Sequence, residues 1–548
     1  MQRIHPWLFG ALTLGATACG AVSGEPLAGH DAGVTHPIGK PDAVAVDTGR
    51  PSVDAGTPDV HVVPKDAGHD STPGDAAVPP IGTLLNASDA HVILGITDDD
   101  YVIYEGANAI YALSVVPGSK PILIAGSNDP DAGADAGGLG QATAFAYHDL
   151  VFVWSGLTQN YVGALSVWSS TIGTPRSLSP ASLYGAVAVS SDSKYFVYTG
   201  GANETGSIAT LYGSAAAAGA SSATLAASIE ATMACGFEPA FSGSYALVQY
   251  CPVNDAGAAS PPAIYAFEAG TWAQTTILSN TTSFDPDSTG TDTVVLTAAG
   301  VLELATVSGA ATDVPLDPTI VPTQSQSYFL STTDHFALYT TGTGALEVST
   351  LPLTSPLKLQ TANVNGIIGL SPDEKWAIVN NANDPTTMYP TDLSLVSTSA
   401  AGPATLLTTG SIADTSGGKG TTSGFTQDGS HLVFLSDIKF NSSYALTGAS
   451  LSAAPIGTAG KVTPITTNVA YYWSMSTAAN VIYNDDYVYN AGTYGRATLH
   501  SIDLAGTASP TLLQANADSY FVLTSDGTKL IYSIDTSATT NGLYVVEL

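Results

Sequence analysis

From about residue 81 to the C terminus, short runs of Val, Ile, Leu, Tyr and Thr alternate with clusters of Gly, Asp, Asn and Ser. Strand signals return roughly every 8–12 residues and apolar residues at helical spacing are nearly absent, so the pattern predicts an all-β chain. One unit recurs: a turn, usually holding Asp, that leads into an apolar strand carrying aromatics. The clearest copies are Ser190-Ser191-Asp192-Ser193-Lys194-Tyr195, Ser371-Pro372-Asp373-Glu374-Lys375-Trp376, Thr426-Gln427-Asp428-Gly429-Ser430-His431 and Thr524-Ser525-Asp526-Gly527-Thr528-Lys529. Weaker copies start their strand near Tyr101, Leu150, Tyr245, Thr293, Phe336 and Val481. Ten starts between Tyr101 and Lys529 lie about 48 residues apart on average, the length of a four-stranded propeller blade.

The remainder of each repeat supplies the other strands, such as Ile110-Tyr111-Ala112-Leu113, Pro121-Ile122-Leu123-Ile124 and Phe521-Val522-Leu523. The order predicted is inner strand, tight turn, anchor strand, two outer strands, repeated in a single large β-propeller over 81–548. Ten blades exceeds the usual 4–8. Eight or nine blades with one or two false repeats is the fallback, and two smaller propellers are disfavoured because no linker interrupts the repeats. The chain ends after two strands of its last repeat, whereas Gly82-Thr83-Leu84-Leu85 has the character of an outer strand. The start is therefore expected to complete the final blade and hide its edge.

Asp suits these turns because its carboxylate accepts backbone N–H groups and its backbone tolerates the turn geometry. The turns resemble those of the TolB-like propeller repeats, marked by Ser-Pro-Asp-Gly before an apolar strand; Ser371-Pro372-Asp373 and Thr524-Ser525-Asp526-Gly527 match best. The resemblance is to the repeat, scattered over residues 90–548, and implies the fold. It does not extend to a helical N-terminal domain of the TolB type, so a partnership of the TolB kind does not carry over.

The first 80 residues have a different texture. Residues 1–18 have a short positive start and an apolar run from Trp7 to Ala18. That run is too short to span a bilayer, so it is expected to be an export signal. It ends at Ala16-Thr17-Ala18-Cys19-Gly20, which resembles the lipobox of bacterial lipoproteins. By that resemblance Cys19 is lipidated and becomes the mature terminus, and the Gly after it favours the outer membrane. Residues 19–80 are rich in Asp, Ala, Gly and Pro, and 20–80 hold no Phe, Tyr or Trp. Such a segment cannot bury enough apolar area to fold, so it is expected to be a disordered tether, roughly 45 Å long as a coil.

Charge narrows the partners. With 14 Lys and Arg against 46 Asp and Glu, the formal net charge is −32. Phosphate binding needs a basic patch, so nucleic acid is excluded, and membrane contact is expected through the Cys19 lipid alone. Among four arginines only Arg176 and Arg496 lie in the repeats, too few for the three-arginine clamp of sialidase-like propellers. No Gly-x-Ser-x-Gly elbow, His-Glu-x-x-His motif or phosphate-binding loop is present. No cofactor is expected, with calcium the one candidate ion. Its candidate ligands are Asp285, Asp287 and Asp292, in a segment that places oxygen donors at alternate positions before Gly290 as calcium loops do, but Leu296 stands where a closing acid should be. The bland alternative is an acidic turn into the strand at Thr293.

Cys235 and Cys251 flank Gly243 symmetrically. A hairpin with inner strand 233–241, turn Ser242-Gly243-Ser244 and anchor strand 245–251 would set them face to face, and export favours a disulfide. Two free buried thiols are the alternative. The long irregular segments 126–142, 252–262, 411–424, 436–446 and 484–497 fall on the face away from the inner-to-anchor turns. A protein or glycan partner is expected there. The candidate binding residues are Asp485, Asp486, Tyr487 and Tyr489, aromatics beside carboxylates; the alternative is a plain strand end. The expectation overall is a non-catalytic envelope lipoprotein that uses its propeller as a binding scaffold. A polysaccharide lyase or glycosidase is the runner-up, and a structural envelope component comes third. Acids clustered with His or Tyr in the channel would favour the enzyme.

Overall fold

A computed structural model describes residues 80–548 apart from 87–91, 107–108, 127–141, 232–234, 255–256, 288–289, 300, 308–313, 318–327, 332–335, 342–343, 351–356, 361–363, 382–390, 403, 412–422, 441–445, 458–460, 471, 475–478, 489–494, 507–508 and 535–540. Residues 1–79, which hold the expected export signal, Cys19 and all but the last residue of the expected tether, lie outside the described residues. So do Tyr489, His335 and most of the long segments 126–142 and 411–424.

The described chain forms ten four-stranded antiparallel units in sequence order. Nine are simple meanders: blade 1 is Val92–Gly126, blade 2 Thr143–Leu183, blade 3 Val187–Glu230, blade 4 Glu238–Ser279, blade 5 Thr281–Asp317, blade 6 Tyr328–Gln360, blade 7 Val364–Ser411, blade 8 Ser423–Val469 and blade 9 Tyr472–Asp518. Blade 10 takes three strands from Phe521–Glu547 and its fourth from Thr83–Asn86. All ten anchor strands begin at or within one residue of the positions that the sequence pattern marks. This is an all-β, multi-blade propeller.

The first strands of successive blades lie beside one another, with Val92–Ile96 flanked by Thr143–Tyr147 and Phe521–Leu523, so first strands face the axis. Each pair of neighbouring blades shares one apolar cluster, and the ten clusters run once round the circle. Blades 1 and 2 meet through Ile103 and Ile110 against Val151 and Val153. The circle closes where Val522, Ile531 and Leu543 of blade 10 meet Ile93, Val102 and Tyr104 of blade 1. An anchor strand is buried on both faces because a blade stands on each side of it. The sequence therefore reads there as a continuous apolar run, as in the fully buried Leu150-Val151-Phe152-Val153-Trp154.

Closure works as the first residues suggest. Thr83 and Leu84 pair with Val545 and Tyr544. Ile81 N–H donates to Gln514 Oε1 (2.6 Å), which also accepts from the Tyr532 hydroxyl (3.0 Å). An edge of apolar residues, Leu543 to Val546, is thereby covered.

The recurring turn is a small hydrogen-bonded machine. In blade 3 the Ser190 hydroxyl donates to Asp192 (2.8 Å) and accepts the Tyr195 N–H (2.9 Å), while Asp192 accepts the Lys194 N–H (3.1 Å). Ser371 with Asp373, Thr426 with Asp428, Thr524 with Asp526 and Thr97 with Asp99 repeat the hydroxyl-to-carboxylate bond. Hydrogen bonds from Lys194 and Ser190 hold the Asp192 carboxyl down at about 2, and those from Thr524 and Thr528 do the same for Asp526. Cross-strand stacking recurs too. Tyr104 on Tyr111, Tyr198 on Tyr212 and Tyr532 on Tyr544 are directly opposed pairs with centroids 5.3–5.5 Å apart.

Candidate functional site

The disulfide forms: Cys235 and Cys251 are bonded with Cα atoms 5.6 Å apart. The hairpin differs from the expected one. Its inner strand is only Glu238–Ser242, its turn is Gly243-Ser244, and the register pairs Ser242 with Tyr245 and Glu238 with Gln249. Continued inward, that register would oppose position 235 to Pro252. Cys235 reaches Cys251 because the chain has left the sheet before Phe237, with Gly236 in the left-handed region (φ 57°). Cys251 also pairs with Glu230 of blade 3, joining blades 3 and 4 into one eight-stranded sheet. The bridge thus lies at an inter-blade seam.

The proposed calcium ligands do separate jobs. The Asp287 carboxylate accepts the N–H groups of Gly290 (2.7 Å), Thr291 (3.0 Å) and Asp292 (3.0 Å), and the Ser242 hydroxyl of blade 4. Asp285 instead accepts the Leu330 N–H on the inner strand of blade 6 (3.0 Å). Asp292 begins the anchor strand Asp292–Thr297. Among the described residues no group of three or more His, Cys, Asp or Glu could hold a metal ion.

Asp485, Asp486 and Tyr487 lie at the end of the long anchor strand Asn480–Val488 of blade 9. Asp485 accepts the Thr466 hydroxyl (2.6 Å). Tyr487 is buried, with its ring against Gly495. Asp486 alone of the three is exposed, in a left-handed conformation (φ 52°). The neighbouring Asn484 is buried and ties together the crossovers on either side of blade 9: it accepts the Ala470 N–H (2.7 Å) and donates to the Ser519 carbonyl (2.9 Å). The segment is built as an extended strand end.

Two other places concentrate chemistry, and the sequence pattern singled out neither. The first lies on the inner strands of blades 4, 5 and 6, where Glu238, Asp285 and Tyr328 converge. Tyr328 donates to the Ser283 hydroxyl (3.0 Å). Desolvation, and then the negative Asp285, push the Glu238 carboxyl up to about 7. Glu238 keeps some contact with channel solvent yet has protein around it, which explains strong desolvation in a half-buried side chain. These residues are separated by about one blade length, so no local motif announces them.

The second place is an aromatic seam between blades 2 and 3. Phe145, Tyr147, Trp154, Tyr161 and Tyr184 form a continuous set of ring contacts. The Trp154 indole donates to the Leu183 carbonyl (3.1 Å). The Tyr147 hydroxyl is buried with no hydrogen-bond partner among the described residues, and burial together with the Tyr184 phenol beside it raises its pKa. Tyr161 is 52% exposed. A signal for this place does exist in the sequence: an aromatic at the tip of the short polar turn Thr158-Gln159-Asn160-Tyr161.

The inner-to-anchor turns make the opposite face. There the turns clasp their neighbours: Asp98 N–H donates to the His148 carbonyl (3.0 Å), Asp149 N–H to the Ser193 hydroxyl (3.1 Å), and Ser525 N–H to Asp100 (3.2 Å). His148 Nδ1 lies 2.9 Å from Asp98, whose hydrogen bond raises the imidazole pKa.

No protein-family model and no curated protein matches this chain. Solved structures do. A eukaryotic initiation factor is 12% identical at a TM-score of 0.43, covering 71% of this chain and 90% of its own. A putative TolB from Agrobacterium tumefaciens is 15% identical at 0.24, covering 47% and 87%. The β-propeller domain of the trilobed protease from Pyrococcus furiosus, described as having an open velcro topology, is 10% identical at 0.29, covering 56% and 91%. At these scores the likenesses say nothing about activity, and the fold rests on the strand pairing itself.

Proposed function

We propose that the protein is an exported, lipid-anchored binding scaffold without catalytic activity, its propeller held off the membrane by residues 19–80 and offering the face opposite the inner-to-anchor turns to a partner. The observation that supports this is the asymmetry of the two faces. On the turn face the recurrent Ser/Thr and Asp side chains are engaged in holding turns, and the turns in holding one another. The long irregular segments lie in the loops of the other face, where a rigid ring can present them. The disulfide is in keeping with an oxidising compartment. Crosslinking on intact cells followed by mass spectrometry tests the reading, with Cys19→Ala as control. Crosslinks to a partner should map to the long-loop face, and the variant should be released from the membrane fraction. Crosslinks confined to the turn face, or a variant that stays membrane-bound, would refute it.

One observation favours the enzymatic alternative: a Glu238 carboxyl near 7 beside Asp285 and Tyr328 is suited to general acid work at neutral pH. Under that reading Glu238→Gln abolishes cleavage of a neutral polysaccharide. Under the scaffold reading no such cleavage exists to abolish.

A further inference from the structure

Tyr161 sits in the loop joining the anchor strand Leu150–Ser155 of blade 2 to its neighbour Val162–Trp168. Tyr184 sits in the crossover from blade 2 to blade 3. Both connections belong to the face away from the inner-to-anchor turns. Tyr161 has a left-handed backbone (φ 56°), an uncommon and costly state for a bulky residue. Three hydrogen bonds hold the loop there: Tyr161 N–H to the Thr158 carbonyl (3.0 Å), Tyr184 N–H to the Tyr161 carbonyl (2.9 Å) and Val162 N–H to the Thr158 hydroxyl (3.3 Å). The result is an exposed ring fixed over a second ring, with centroids 6.2 Å apart and planes at 36°.

Tyr184 is itself pinned. It meets Phe145 (5.4 Å) and Trp154 (5.7 Å) edge to face. Its hydroxyl oxygen is buried and its phenol lies close enough to Tyr147 to raise that group's pKa, while the residue as a whole stays partly exposed. The loop around Tyr161 carries the exposed neutral polar side chains of Thr158, Gln159 and Asn160. Asn160 ties the tip to blade 3 by donating to the Glu204 carbonyl (2.8 Å). Arg176 of blade 2 is spent elsewhere, on the carbonyls of Ala215, Ala217 and Ala220.

We propose that Tyr161 and Tyr184 form a stacking platform for a pyranose ring of a neutral glycan. Two fixed aromatic rings offer an apolar surface to the C–H face of a sugar. Amide and hydroxyl side chains at the rim offer hydrogen bonds to its hydroxyls, as concave ligand sites generally combine the two. The strongly negative chain disfavours an acidic sugar. The inference rests on the scaffold reading and names its ligand class. Failure of the platform would leave a partner crosslinked elsewhere on the long-loop face untouched, so the two can fail separately.

The test is titration calorimetry of the full-length chain with cellotetraose, maltotetraose and mannotetraose, with tetragalacturonate and choline as comparisons. At least one neutral tetrasaccharide should bind. Tyr161→Ala should weaken it tenfold or more, and Tyr161→Phe should stay within threefold, since the ring and not the hydroxyl makes the contact. Tyr161→Gly removes the ring and relieves the left-handed backbone, so it should fold at least as well as the parent and still lose binding. Binding unaffected by Tyr161→Gly, no binding of any neutral tetrasaccharide, or binding of tetragalacturonate or choline in their place would each overturn the proposal.

Discussion

Glu238→Gln isolates the cost of a carboxylate on the channel wall. Burial and Asp285 raise the folded-state carboxyl from 4.5 to about 7. The folded protein therefore binds this proton more tightly than the unfolded chain does, and the contribution to stability is fully present below about 4.5. It is lost as pH rises through the window from about 4.5 to 7. A shift of that size corresponds to about 3 kcal/mol at pH 8. Solvent in the channel screens part of it, so this is an upper figure. Unfolding the ~470 residues from Pro80 to Leu548 carries an entropy of about 1 kcal/mol per kelvin, so the penalty amounts to at most ~3 °C in Tm. Glutamine keeps the shape and never ionises. Scanning calorimetry of parent and variant at pH 4 and pH 8 should give nearly equal Tm values at pH 4 and a variant up to ~3 °C more stable at pH 8. A difference in Tm that does not change between the two pH values, or a parent that is the more stable at pH 8, would refute the reasoning, because either would mean that Glu238 ionises freely or is held charged by a partner.

Two further perturbations probe the seams of the ring. Chains starting at residue 80 and at residue 87 should behave differently: the second lacks the strand Thr83–Asn86, uncovers Leu543 to Val546 and removes Leu85 from the blade 10 and blade 1 cluster. It should self-associate on size-exclusion chromatography and melt lower, and two monomers with equal Tm would show that closure does not depend on that strand. Cys251→Ala opens the covalent loop of sequence separation 16, worth about 3 kcal/mol in chain entropy, again ~3 °C. Reductant should lower the parent's Tm by that amount and leave the variant's unchanged; a parent insensitive to reductant would refute it.

How much of this was legible in the chain differs by scale. The ten anchor strands were visible because each is buried on two faces and so reads as an unbroken apolar run behind a turn of fixed chemistry. The Asp of the turn was visible for the same reason, while its hydroxyl partner two residues earlier (Thr97, Ser190, Ser371, Thr426, Thr524) gains meaning only from the hydrogen bonds. The disulfide was visible, but not the path to it. Symmetry about Gly243 suggested a regular hairpin, whereas the left-handed Gly236 and the break before Phe237 deliver Cys235 from outside the sheet.

Sites were less legible, because a propeller assembles them from residues one blade apart. Asp285 follows Glu238 by 47 residues and Tyr328 follows Asp285 by 43, and the three share a wall only because three inner strands do. Tyr161 and Tyr184 meet only because a blade-to-blade crossover returns over the loop beside it. The reverse also holds. Asp485 and Tyr487 look like a site because they lie close in sequence, but each has its own structural partner, Thr466 for one and Gly495 for the other. In a fold of this kind, residues that adjoin in the chain are poor evidence for a site. Residues separated by one repeat, in equivalent strands, are where convergent chemistry should be sought.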